Sequence, residues 1–164
     1  MKKVFGSIFG LFFVAFLFMS STTVLAATPN NTSAIPTPVG SWQTIDDVTN
    51  QPRSIILISL GSNNQLSGRL TKINYRPGEG PGDLCVKCTG SLHNQKILGM
   101  TILTGMKQDA SNSLRWTDGK IVDPESGKIY SCRMTLSADG NTLHVRGYIL
   151  FTLLGRTQTW HRVS

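Results

Sequence analysis

The feature that most limits what this chain can fold into is its rhythm. From residue 40 onward, apolar or alternating runs of strand length are broken by turn chemistry at intervals of roughly ten residues. The expected strands are 40–46, 54–60, 66–75, 97–106, 114–123, 128–136, 142–149 and 156–163, and no run is long and periodic enough for a substantial helix. The breaks hold what a reversing backbone needs. Asn50-Gln51-Pro52, Gly61-Ser62-Asn63-Asn64, Asp123-Pro124-Glu125-Ser126-Gly127 and Ala138-Asp139-Gly140-Asn141 are short and rich in proline, glycine and asparagine. About eight strands joined in series make an antiparallel up-and-down meander. At that size a closed barrel either fills with side chains or holds one small ligand, and closure removes the exposed edges that invite aggregation. A two-sheet sandwich shares the local pattern, so pairing of the first strand with the last decides between them.

Two irregularities stand out. In 66–75 the alternation Leu66, Gly68, Leu70 changes phase to Ile73 and Tyr75, which predicts a bulge near Thr71. Residues 76–94 form the one long insertion, with four glycines, two prolines and the pair Cys85 and Cys88. Gly119 marks a kink in its strand, and 150–155 is an apolar connection with room for one helical turn.

The first residues belong to a different class. Met1-Lys2-Lys3 is a basic start, 4–19 is apolar, and Val24-Leu25-Ala26 offers small residues where a signal peptidase reads, so 1–26 is expected to be a cleaved signal peptide of bacterial type. Residues 27–38 hold three prolines and read as a disordered arm, leaving 39–164 as a single domain that is exported, periplasmic or secreted. No later apolar run reaches the ~18 residues of a spanning helix, so no stable membrane anchor is expected after cleavage. The formal charge is +7, two units of it from Lys2 and Lys3, and the remaining basic residues are scattered singly. A nucleic-acid binder would carry a basic stripe with aromatic platforms.

Two sets of residues carry a resemblance. Gly40-Ser41-Trp42 near the start and Arg162 near the end resemble the signature of calycins, the lipocalin-like barrels, in which an arginine packs across the first-strand tryptophan. The larger set adds Cys85-Val86-Lys87-Cys88, Ile97-Leu98-Gly99, Gly119-Lys120-Ile121-Val122-Asp123-Pro124, Gly127-Lys128-Ile129-Tyr130, Arg146-Gly147-Tyr148 and Trp160-His161-Arg162. Over essentially 39–163 it is similar to a family of small exported bacterial proteins, domain of unknown function 2147. The resemblance implies an all-β, eight-stranded calycin-like barrel and no biochemistry. Gly40, Trp42 and Arg162 are then structural, a cation over an indole face worth ~1 to 2 kcal/mol when desolvated.

The cysteines leave alternatives open. A local Cys85–Cys88 disulfide suits an exported loop, and its rival ties either residue to Cys132. Zinc through Cys85, Cys88, Cys132 and His93 lacks a second metal-type pair, so neither metal nor cofactor is expected. Haem attachment is excluded because residue 89 is Thr rather than His. No Gly-x-Ser-x-Gly elbow or His-Glu-x-x-His occurs, and His93, His144 and His161 fall on separate segments, so no enzyme is expected. Asp123 and Glu125 read as turn residues.

The interior is the candidate site. Alternation puts Tyr130, Met134 and Leu136 on one face of their strand and Leu143, Val145 and Ile149 on one face of the next. Pointing inward, they line either a pocket or a plain filled core. Arg156 shares its parity with Gln158, Trp160 and Arg162, placing it either at a ligand's charged end or at the rim in water. The expected function is binding of a small apolar or amphipathic ligand. The alternative is an interaction protein acting through the loop 76–94 without a lumen ligand.

Overall fold

Eight strands follow one another along the chain: β1 (Gly40–Ile45), β2 (Pro52–Leu60), β3 (Leu66–Ile73), β4 (Thr101–Asp109), β5 (Asn112–Asp123), β6 (Lys128–Leu136), β7 (Thr142–Tyr148) and β8 (Gly155–Arg162). They come from a computed structural model that describes residues 36–150 and 154–163. The expected signal peptide, residues 27–35 of the arm and part of the 150–155 connection lie outside the described residues. Each strand pairs antiparallel with its neighbour in sequence. β8 pairs back onto β1 through Trp42–Arg162 and Gln43–His161, so the sheet is a closed barrel and not a sandwich.

Alternation along each strand selects the inward face. Trp42 and Thr44 on β1, Ile56 and Ile58 on β2, Cys132, Met134 and Leu136 on β6, Leu143 and Val145 on β7 and Trp160 on β8 are all buried. Each large apolar side chain removed from water contributes about 1.5–3 kcal/mol. The β2–β3 register passes from Ile55–Lys72 to Ile56–Leu70 and skips Thr71, the bulge that the phase change predicts. The β5–β6 register shifts between Trp116 and Gly119, where a kink is expected. A Cβ on Gly119 would fall 2.0 Å from Met106 Sδ, so only glycine lets that methionine fill the interior.

The strand expected from residue 97 begins later, at Thr101. Gly99 takes φ +93°, and Met100 N–H donates to the Ile97 carbonyl, so these residues form a turn that extends the insertion. The insertion has a structure of its own. It contains a short 3-10 turn at Gly90–Leu92 and an antiparallel bridge between Leu84 and Lys96. Cys85 and Cys88 form a disulfide, both buried, while Cys132 is a free thiol inside the barrel. The insertion packs against the β5–β6 turn: a Cβ on Gly127 would lie 2.0 Å from the Lys87 carbonyl oxygen.

Candidate functional site

An up-and-down barrel sorts its connections by parity. The β2–β3, β4–β5 and β6–β7 turns and the chain's entry fall at one end, and the β1–β2, β3–β4, β5–β6 and β7–β8 connections fall at the other. The first end is plugged. Trp42 is fully buried and its indole N–H donates to the Pro38 carbonyl at 2.7 Å. Arg162 lies over that ring, 4.4 Å from its centroid, and donates to the carbonyls of Gly140, Val39 and Thr37 at 2.6, 2.9 and 2.6 Å. Residues 36–38, the end of the expected arm, are therefore joined to the barrel, with Pro38 buried. Gly40, at φ +133°, opens the strand that carries Trp42.

The other end is hollow. A cavity of about 780 Å³ enters the barrel there, with Trp160, Val145, Ile56, Ile102, Ile121, Val122 and Tyr130 on its walls. The expected lumen residues divide by depth. Tyr130 and Val145 line the cavity, whereas Met134, Leu136 and Leu143 are buried in packed core and do not reach it. Filled core and pocket thus occupy different halves of one barrel. Arg156 lies at the rim, its side chain 66% exposed and paired with Asp47. Gln158 bridges rim to interior, donating to Asp47 at 3.2 Å and accepting from the Trp160 indole at 3.3 Å.

A network of charge surrounds the mouth. Arg53 makes a two-pronged pair with Glu79 at 2.7 and 2.9 Å and also reaches Glu125 at 3.0 Å. Arg76 donates to Asp46 through Nε at 2.9 Å and through Nη2, and to both Glu125 oxygens at 3.1 and 3.3 Å. The Thr49 N–H, joined by the Arg76 guanidinium and the Val48 N–H, holds the Asp46 carboxyl well below the usual carboxylate range. The Arg53 guanidinium lowers Glu79, and the two arginines are raised by Glu79 and Asp46 in turn. These contacts tie the start of the insertion to the β1–β2 and β5–β6 turns. A smaller cavity of about 160 Å³ lies beside the first and shares Arg53, Ile102 and the Asp123–Glu125 turn with it. Tyr75 lines this side cavity, its hydroxyl buried and without a hydrogen-bond partner among the described residues.

Sequence reasoning missed the network because its members are far apart in the chain and form no motif. Parity of the connections was the available signal: Asp46, Arg76 and Glu125 sit in or beside the first, third and fifth connections, which an up-and-down barrel must bring to one end. The disulfide resolves the cysteine alternatives. Cys132 stays apart, and burial pushes its thiol up to about 12, which keeps it protonated and unreactive. Cys85 Sγ sits 3.3 Å from the Pro124 carbonyl, a packing contact rather than a hydrogen bond because the oxidised sulfur carries no proton.

Comparison with known proteins agrees with the architecture. The family model for uncharacterized proteins conserved in bacteria (DUF2147) matches residues 40–162. Among solved structures the chain is similar to protein HP1028 of Helicobacter pylori, described as belonging to the lipocalin family, with 18% identity and a TM-score of 0.65 over 79% of this chain and 84% of that one. At that identity the likeness is one of fold. A search of curated proteins found no match.

Proposed function

We propose, for a chain that belongs to the DUF2147 family of uncharacterized bacterial proteins, that it is an exported, non-enzymatic carrier of one small amphipathic molecule. The observation that carries the reading is the 780 Å³ cavity with aliphatic and aromatic walls under a charged mouth. That volume falls within the ~300–1,000 Å³ of ordinary ligand sites, and the combination of apolar wall and convergent polar groups is what such sites use. The apolar body of the ligand lies against Ile56, Ile121 and Val145, and its polar end faces Arg53, Glu125 and Asp47. Export rests on the basic and apolar start of the chain; a mature protein from its host that still begins at Met1 would remove it.

Val145→Phe tests the carrier reading by filling the cavity with an aromatic ring. Binding of an apolar fluorescent probe to the wild type, weakened at least tenfold in the variant with its β-sheet circular dichroism unchanged, is the expected result. Equal binding by the two proteins overturns it. The alternative reading, a partner-binding surface at 76–94, predicts no probe binding by either protein.

A further inference from the structure

We propose that the cavity selects amphiphiles whose polar end is cationic and rejects those ending in a carboxylate; the inference rests on the carrier reading above. It starts from how the mouth's charges are used. Arg53, Arg76 and Arg156 are the three guanidiniums there, and each already faces a carboxylate. Arg53 spends both terminal nitrogens on Glu79 and gives Nη1 also to the Asn74 carbonyl at 2.8 Å. Arg76 is engaged through all three nitrogens. An anionic head would have to break charge-assisted, multiply bonded pairs to reach either one.

The carboxylates are in the opposite position. Asp46, Asp47, Asp123 and Glu125 line the main cavity and Glu79 and Asp83 join them in the side cavity, six carboxylates against three guanidiniums on a chain whose formal charge is +7. Asp123 lines both cavities, and its side chain accepts from neutral donors, the Glu125 N–H at 3.0 Å and the Ser126 hydroxyl at 2.6 Å. Glu125 is more than half exposed and has lone pairs to spare beyond its two arginines. The low-dielectric wall beneath the mouth strengthens attraction for a cation seated between Asp123 and Glu125. The apolar walls beneath these carboxylates suit a cation that carries an organic tail.

The experiment compares decyltrimethylammonium, decanol and decanoate, all below their micellar concentrations, for displacement of the apolar probe at neutral pH. The expected order is cation tightest and carboxylate weakest, separated on the order of tenfold. Asp123→Asn keeps the turn-capping oxygen and Glu125→Gln keeps the side-chain length. Each is expected to weaken the cation about fivefold or more and to change decanol affinity by much less, with melting temperature as the control for folding, and an equal loss for both ligands overturns the head-group selection. Equal affinities, or carboxylate tightest, overturn the head-group selection and leave the carrier reading standing. Failure of all three to displace a probe that does bind places the probe outside the lumen and overturns both.

Discussion

The two ends of the barrel use arginine in opposite ways. At the closed end Arg162 meets an indole face and three backbone carbonyls, all neutral. At the open end Arg53 and Arg76 are enclosed by carboxylates drawn from connections far apart in the chain. The Arg162 contact itself has no titrating partner, although the turns at the same end hold the Arg115–Asp109 ion pair and Asp139, whose carboxyls lie below the usual carboxylate range. Arg162 is partly desolvated, which lowers its pKa, yet it stays charged at any ordinary pH. The second arrangement is an ion-pair network near solvent, sensitive to salt and pH. One end acts as a plug and the other as an adjustable mouth.

The most severe way to break this contrast is Trp42→Ala. Removing a fully buried indole is expected to cost about 3–5 kcal/mol by urea denaturation. A loss under about 1 kcal/mol would show that the plug does not hold the barrel closed. Gly127→Ala attacks the open end by driving a methyl group into the Lys87 carbonyl at a φ of +72°. A loss of about 2 kcal/mol is expected, with amide protection falling across the insertion and unchanged around Trp42. Uniform loss of protection would mean that the two ends unfold as one unit.

Acid tests the carboxylate network of the mouth without mutation. Asp46 and Glu79 have folded pKa values lowered, Asp46 by the Thr49 N–H and then Arg76, Glu79 by Arg53. Groups lowered in this way stabilise the fold above their unfolded values near pH 4 and lose that contribution as pH falls through the folded ones. Amide protection factors in the insertion should therefore drop below about pH 4, and those in the β4–β5 and β6–β7 turns, where Asp109 and Asp139 are lowered in the same way, should fall with them. Protection in the insertion that is unchanged across this range would refute the assignment. The smallest effect belongs to Arg156→Ala. Its pair with Asp47 is solvent-exposed, so the change in stability should stay within about 0.5 kcal/mol.

The fold was largely legible in the sequence. Turn residues at fixed intervals set the number and order of strands, the phase change in β3 located the bulge at Thr71, and the short Cys85–Cys88 spacing suited a local disulfide. The start of β4 was misread because the apolar residues Ile97 and Leu98 resemble a strand opening, while Gly99 at positive φ makes them a turn. The site was legible only in part. Alternation assigned Tyr130, Met134, Leu136, Leu143 and Val145 to inward faces, but gave no depth.

What the sequence alone determined, then, is what depends on neighbours along the chain. A strand's period of two decides which face a side chain takes, and turn chemistry decides where the chain reverses. Tertiary structure decided depth and company. Strand tilt and stagger set how far down the axis each inward residue falls, so Met134 and Leu143 became packing while Val145 came to line a cavity. Closure likewise brought Arg53, Arg76, Glu79 and Glu125 to one mouth and Arg162 over Trp42. Those contacts span separations from a few residues to more than a hundred, and a long-range contact leaves no local trace in the sequence.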